Sequence, residues 1–524
     1  MTRAGGAGQG GAPAAPVLRL RGVTKHFGAL TANDRIDLDL YRGEILALLG
    51  ENGAGKTTLM SILFGHYTAD AGTVEVAGES GLESLRPGSP QAALAAGIGM
   101  VHQHFTLADN LTVLDNIVLG SEPLWWPFSR RRAARRRLAP LMAEVGLSVP
   151  LEARVATLSV GERQRVELLK ALYRDARVLI LDEPTAVLTP QETERLFATL
   201  RQLAGRGLAV VFISHKLAEV TALSARVVVL RGGRVVAERR TEGTDRHELA
   251  ELMVGRELQP TVRPPLVPGE AVLELAGVGV RGAHGRWLLE DVGLCVHRHE
   301  IIGIAGVSGN GQTALAGLLA GRHRPETGNA RLLGRPVERA DPAARVRAGV
   351  GRIPEDRHRD GLIGDLTVWE NLLLEDVRRR RWHRFGLIRR AAARDHARRL
   401  IAEYDVRCPG PDARTRLLSG GNLQKLILAR VLEREPDLIL ADQPTRGLDV
   451  GAVEAVHRRL LEARQRGAGI VLISEDLDEL LALADRVAVL YRGRLSPALP
   501  VEQVTVRGLG LMMAGHDDGA RHAA

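Results

Sequence analysis

Only two of the 524 residues are cysteine, Cys295 and Cys408, and they stand far apart without metal-ligand spacing. That argues against a thiolate zinc site, and both read as reduced, structural residues. Aromatic residues are scarce, at 3%, which leaves no stacking platform for single-stranded nucleic acid. Long apolar runs are missing too: nothing approaches the ~18 continuous apolar residues that a membrane-spanning helix needs. Lysine is confined to positions 25, 56, 170, 216 and 425, so nearly all basic charge is arginine, and the formal net charge is +9. Such a balance suits nucleic acid or an anionic membrane surface without choosing between them. The Gly/Ala-rich start has no apolar segment, so residues 1–16 read as a disordered tail rather than a signal peptide. The product is expected in the cytoplasm, with any membrane role reached through a partner.

What is present is a repeat. Leu46-Ala-Leu-Leu-Gly50-Glu-Asn-Gly-Ala-Gly-Lys-Thr57 matches Ile302-Gly-Ile-Ala-Gly306-Val-Ser-Gly-Asn-Gly-Gln-Thr313. Leu158-Ser-Val-Gly-Glu162 matches Leu418-Ser-Gly-Gly-Asn422, Leu179-Ile-Leu-Asp-Glu-Pro-Thr185 matches Ile439-Leu-Ala-Asp-Gln-Pro-Thr445, and Val211-Phe-Ile-Ser-His215 matches Val471-Leu-Ile-Ser-Glu475. Four motifs in one order at nearly one offset describe a duplicated domain. The break falls in the proline-rich stretch Gln259–Pro268, which can continue neither a helix nor a central strand. The expected division is domain one over 17–257, a linker over 258–270, domain two over 271–516 and a tail over 517–524. Val178–Leu181 and Val210–Ile213 read as strands buried on both faces, the pattern of a parallel α/β sheet. Ligand groups then belong at the carboxyl ends of those strands.

Gly50-x-x-x-x-Gly55-Lys56-Thr57 follows a strand and opens a helix, the setting of a phosphate-binding loop. Its glycines turn backbone N–H groups toward phosphate oxygens, and the helix N-terminus adds a positive dipole end. Lys56 supplies a charge to the β- and γ-phosphates, and the Thr57 hydroxyl suits Mg²⁺. Asp182 ends a buried strand and Glu183 follows, so one carboxylate can hold the Mg²⁺ shell while its neighbour polarises water. Asp-Glu after a strand is weak evidence by itself. His215 ends another strand, where it reads as a structural histidine or a γ-phosphate sensor.

Leu158-Ser-Val-Gly-Glu162 and Leu418-Ser-Gly-Gly-Asn422 each precede a helix and resemble the signature motif of ABC ATPases. The resemblance covers residues 17 to about 515 and implies two tandem P-loop NTPase domains of α/β class, each with a RecA-like core and a helical subdomain. It implies ATP and Mg²⁺ as ligands. It assigns nucleotide contacts to Gly50, Glu51, Asn52, Gly53, Ala54, Gly55, Lys56, Thr57 and Thr58. It assigns catalysis to Glu183, the switch residue His215 and the Q-loop residue Gln103, and the metal to Thr57, Gln103 and Asp182. Phe27 would stack on adenine, although spacing alone allows a core or surface Phe equally. In this family ATP lies between one domain's P-loop and the other's signature, which adds Ser419, Gly420 and Gly421. Pro354-Glu-Asp-Arg357, Leu418–Lys425 and Gln443–Gly451 resemble the fused ATPase of bacterial simple-sugar and nucleoside importers. Val101-His-Gln-His-Phe105 and Pro354–Gly361 look more like the nucleoside-importing subgroup. That branch implies two transmembrane permease subunits, indirectly a substrate-binding lipoprotein, peripheral attachment to the inner face of the cell membrane, and no nucleic acid.

The second half departs from the pattern. Gln312 replaces the P-loop lysine, Glu355 stands for Gln103, Gln443 for Glu183 and Glu475 for His215. That set is expected to bind nucleotide without useful turnover. The runs Ser129–Arg137 and Arg378–Arg381 read as a solvated helix face in each helical subdomain, or as a contact with lipid headgroups. The rival reading is a soluble tandem-ABC ATPase acting on ribosomes as a translation factor. As a family, those proteins carry a long charged linker and usually keep both catalytic glutamates. A DNA-repair ATPase would need zinc-bearing insertions that two cysteines cannot supply.

Overall fold

The structure is a computed structural model that describes residues 15–28, 30–102, 106–121, 130–185, 188, 190–214, 216–257, 262–282, 285–307, 309–337, 339 and 341–516. The expected tails (apart from residues 15 and 16), linker residues 258–261, Gln103, His104, Phe105, Ser129 and His215 lie outside those residues. The chain divides into two compact units, 1–258 and 259–524.

In the first unit, β1 (Pro16–Phe27), β2 (Leu30–Tyr41), β3 (Ile45–Leu49), β4 (Ala71–Ala77), β5 (Leu82–Ser84), β6 (Ile98–Val101), β7 (Val178–Asp182), β8 (Ala209–Ile213), β9 (Arg226–Arg231) and β10 (Arg234–Arg240) form two sheets. One is antiparallel in the order β2-β1-β4-β5. The other runs β10-β9-β3-β8-β7-β6 and is parallel except at the β10–β9 edge. Every residue of β3, β7 and β8 is buried, as a parallel strand covered on both faces requires. Leu18, Leu20 and Ile36 of the antiparallel sheet share one core with Leu46, Leu48, Val211 and the helical Leu59 and Leu63. Between β6 and β7 the chain leaves the sheet for the helices Val113–Val118, Arg131–Val145 and Val160–Tyr173.

The second unit repeats the plan with β11 (Ala271–Arg281), β12 (Trp287–His297), β13 (Ile301–Ala305), β14 (Thr327–Leu332), β15 (Arg335–Pro336), β16 (Val350–Ile353), β17 (His383–Arg384), β18 (Leu387–Ile388), β19 (Leu438–Asp442), β20 (Gly469–Ser474), β21 (Arg486–Tyr491), β22 (Arg494–Leu495) and β23 (Leu499–Pro500). Its antiparallel sheet is β12-β11-β14-β15, and its larger sheet runs β16-β19-β20-β13-β21-β22, with β23 beside β21. The helices Val368–Leu373, Arg390–Glu403 and Gly420–Leu432 occupy the corresponding insertion. Strands β17 and β18 make a separate hairpin there.

One expectation changes in detail. Arg378–Arg381 does not lie on an α-helix face. It runs through a turn into the short 3₁₀ segment Arg380–Trp382 and is held by the buried Asp376 carboxylate, which pairs with Arg379 (3.1 Å) and Arg381 (2.9 Å) beside the buried Trp382. The described part of the linker is tied to the second unit. The Pro264 carbonyl accepts from Arg464 at 2.8 Å, and Arg263 reaches Glu502 at 3.0 Å.

Candidate functional site

In the first unit β3 delivers the chain to Gly50, and the loop turns through positive φ at Gly50 (155°), Gly53 (82°) and Gly55 (100°) before the helix Lys56–Leu63. A Cβ on Gly50 would stand 2.3 Å from the Leu230 carbonyl oxygen, and one on Gly55 2.2 Å from that of Ala32, so only glycine fits either position. The Lys56 side chain is buried and folds back over the loop, its Nζ donating to the Gly50 carbonyl at 2.6 Å and the Glu51 carbonyl at 2.9 Å. Asn33, fully buried, braces the turn by donating to the Gly55 carbonyl at 3.1 Å. Glu51, Asn52, Gly53, Ala54 and Thr58 belong to this loop and first turn, and Thr57 beside Lys56 is exposed.

Asp182 is the last residue of β7, and burial pushes its carboxyl above the usual range. The neighbouring Glu183 adds to that push, and the Lys56 ammonium opposes it. Glu183 adopts φ 46°, and its N–H donates to the Ile213 carbonyl of β8 at 3.0 Å. A buried carboxylate and an alcohol oxygen are hard donors suited to Mg²⁺, with remaining positions left to phosphate oxygens and water. Asp182 and Thr57 therefore fit that ion, and a bound cation would lower the Asp182 pKa.

Sequence reasoning did not find the group that sets this loop. Glu219, in the helix Leu217–Leu223, is buried and accepts from Thr185 Oγ1 at 2.6 Å and Ser214 Oγ at 2.9 Å. One carboxylate thus fastens the loop after β7 to the end of β8. Glu479 does the same in the second unit, accepting from Thr445 (2.8 Å) and Ser474 (2.6 Å), with His457 Nε2 at 3.1 Å. Position 260 residues apart was the only signal available, and neither glutamate sits in a recognised motif.

The second unit keeps this frame and changes the chemistry. Gln312 is buried in the place of the P-loop lysine, where its Nε2 donates to the Val307 carbonyl (2.8 Å) and its Oε1 accepts from the Asn310 N–H (3.1 Å). The side chain thereby consumes a loop N–H that would otherwise be available to a phosphate. Gln443 repeats the Glu183 backbone, with φ 48° and its N–H on the Ile473 carbonyl at 2.8 Å. Its Oε1 accepts from the Glu475 N–H at 3.4 Å. Glu355 pairs with Arg446, and His358 is exposed.

Asp442 has no lysine to offset its burial, and its carboxyl is pushed up to about 7, with Glu355 adding to the effect. A folded-state acid raised in this way contributes stability below its unfolded value and loses it as pH rises through the folded value. The window runs from the ordinary 3.8 to about 7. Asp442→Asn should therefore leave the melting temperature of the full chain unchanged near the bottom of that window. The variant should gain a few degrees progressively toward the top and nothing further above it. A melting advantage that does not grow with pH would show that Asp442 titrates in the folded chain as it does in the unfolded one.

The two signature turns also differ. Ser159 caps the helix Val160–Tyr173 in a closed box: the Glu162 carboxylate accepts from the Ser159 N–H and hydroxyl, both at 2.8 Å. The Ser159 N–H holds that carboxyl below the usual range, so this helix N-terminus carries its own negative charge. In the second unit, neutral Asn422 takes that place, donating to Ser419 Oγ at 2.8 Å. Gly420 and Gly421 begin the helix Gly420–Leu432, and the Arg357 guanidinium lies close to Gly420. Asp449 caps the next helix, Val450–Gln465, by accepting from the Ala452 N–H at 2.8 Å.

Phe27 is 43% exposed and meets Tyr67 edge to face at 5.4 Å, with the Lys25 ammonium 5.5 Å from its ring centroid. Tyr67, half exposed beside it, is a second aromatic that the motifs did not mark.

A glycine loop from a strand into a helix, with lysine at its mouth and a buried aspartate at the end of the next strand but one in the same sheet, defines a P-loop nucleotide-binding fold. Residues 33–186 and 289–446 each match the ABC transporter family. The chain is 44% identical to a glucose import ATP-binding protein of Haloferax volcanii, over 97% of each chain. It is 42% identical to a guanosine import ATP-binding protein of Bacillus subtilis, over 95% of this chain and 97% of that one. A nucleoside import ATP-binding protein of Lactococcus lactis is also 42% identical, over 95% and 98%. This protein belongs to the ABC transporter family as an ATP-binding subunit with ATPase chemistry. An archaeal ribosome recycling factor shares the fold at a TM-score of 0.62, over 94% of this chain and 92% of that one, at 20% identity. That likeness concerns fold alone.

Proposed function

We propose that the chain energises a membrane importer of nucleosides or simple sugars by hydrolysing ATP in its first unit. The observation that carries the assignment of hydrolysis is the contrast between Lys56 and Gln312, each buried at the head of its helix and bonded to its own loop, one positively charged and the other neutral and also occupying a loop N–H. In this reading Gly50–Thr58 cradles the phosphates, Thr57 and Asp182 hold Mg²⁺, Glu183 accepts a proton from the attacking water, and Phe27 meets the adenine. Gln103 and His215 complete the set as metal ligand and γ-phosphate sensor. Ser419, Gly420 and Gly421 are the phosphate-facing signature, because their helix begins without a carboxylate. The second unit serves as a structural or regulatory half.

The partners in this reading are two transmembrane permease subunits and, through them, a substrate-binding lipoprotein, with peripheral attachment to the inner face of the membrane. Among the described residues no helix is long and apolar enough to cross a membrane, which is consistent with attachment through partners. Nucleosides rank ahead of sugars on the residues around Val101–Phe105 and Pro354–Gly361. Deleting the gene and measuring uptake of labelled nucleosides, pentoses and hexoses tests this: nucleoside uptake should fall to background. Loss of sugar uptake alone reverses the ranking, and unchanged uptake of every solute removes the importer reading.

A further inference from the structure

The β17–β18 hairpin of the second unit departs from what its turn requires. The strands pair His383 with Ile388 and Arg384 with Leu387, so the connection is the two residues Phe385 and Gly386. Both have positive φ, 51° and 79°. A two-residue turn of this hand favours Asn-Gly or Gly-Gly, and a bulky aromatic in the left-handed region is an outlier. Phe385 nevertheless sits there, 94% exposed, with Leu387 76% exposed beside it. The base of the hairpin is firm. Trp382 is buried against His396 at 5.0 Å, the Arg389 N–H donates to the Trp382 carbonyl at 2.8 Å, and His383 Nε2 donates to the Val377 carbonyl. A fixed base presenting a strained, solvent-facing aromatic points to a contact made outside the chain.

Charge identifies that contact. From Val377 to Arg394 there are eight arginines and no carboxylate. Arg378, Arg380, Arg384, Arg389 and Arg390 are exposed around the apolar tip, and the Arg384 guanidinium lies 5.6 Å from the Phe385 ring centroid. An apolar tip within a ring of guanidinium groups matches the boundary of an anionic bilayer, with acyl chains below and phosphates around. We propose that Phe385 and Leu387 enter the interfacial layer of an anionic membrane while the surrounding arginines bind lipid phosphates. The chain then touches lipid directly, in addition to any permease.

Sedimentation of the purified full chain with vesicles tests this without a permease, and so independently of the importer reading. Phosphatidylcholine vesicles containing about one third phosphatidylglycerol are compared with phosphatidylcholine alone. Phe385→Asn with Leu387→Thr removes the apolar tip while giving the turn a residue that suits it. Arg384→Gln with Arg390→Gln removes charge, at on the order of fivefold in partitioning per arginine. Binding of the unaltered chain should favour the anionic vesicles at least ~10-fold and weaken with salt. Each double variant should lose ~10-fold or more with the melting temperature not lowered and ATPase activity unchanged. Equal partitioning onto both vesicle types overturns the proposal, as does normal vesicle binding by the Phe385→Asn, Leu387→Thr chain. Transport lost in a variant that still binds vesicles normally also overturns it, and would make the tip a protein contact.

Discussion

Replacing Glu183 by glutamine is expected to slow ATP hydrolysis by about 10²–10⁴-fold, the range a positioned proton acceptor contributes. The substitution keeps size and backbone demands nearly constant. Gln443 shows within this same chain that glutamine is accommodated in that conformation, with φ 48° against 46° and the same N–H bond to the neighbouring strand. The fold should therefore be unaffected. ATP affinity should persist, because the loop and Lys56 are untouched. Single-turnover hydrolysis and nucleotide binding, measured on the same preparation, separate the two effects. Lost binding, or a rate within about tenfold of the unaltered chain, would show that Glu183 is not the proton acceptor.

A second large effect should follow from Lys56, and it should be lopsided. Lys56→Ala removes both the charge intended for phosphate and the bonds that close the loop on Gly50 and Glu51. Hydrolysis should drop by at least ~10²-fold, the loss expected when one preorganised electrostatic contact to a transferring group is removed. Gln312→Ala combined with Gln443→Ala should leave most of the activity. Restoring Gln312→Lys and Gln443→Glu should not create a second fast site, since Glu475 and the charged Ser159–Glu162 cap remain. If a Lys56→Ala, Glu183→Gln chain retains half of the normal rate, the two halves are equivalent and the assignment of hydrolysis to the first fails.

The contiguous parts of the site were legible because their chemistry is local. The phosphate loop is a run of glycines ending in Lys-Thr after an apolar strand, and the structure gives it the strand, the left-handed turns and the helix such a run demands. The buried strands and the duplication were legible for the same reason. Tertiary consequences were not. Glu219 and Glu479 lie on ordinary amphipathic helices, and their role appears only when two strand ends are brought together. Gln312 reads from sequence as a missing charge, whereas the structure shows it occupying the loop's own hydrogen bonds. Arg378–Arg381 reads from its run of charge as a solvated α-helix face. The buried Asp376 and Trp382 override that reading.

The glutamate clasp common to both units separates what makes this fold from what makes it react. Thr185, Ser214 and Glu219 shape the first loop, and Thr445, Ser474 and Glu479 shape the second, without drawing on the residues expected to touch water or phosphate. A duplicated half can therefore surrender its reactive groups while its architecture stays whole. The second unit holds its clasp in place while Gln312, Gln443 and Glu475 stand where the first has Lys56, Glu183 and His215.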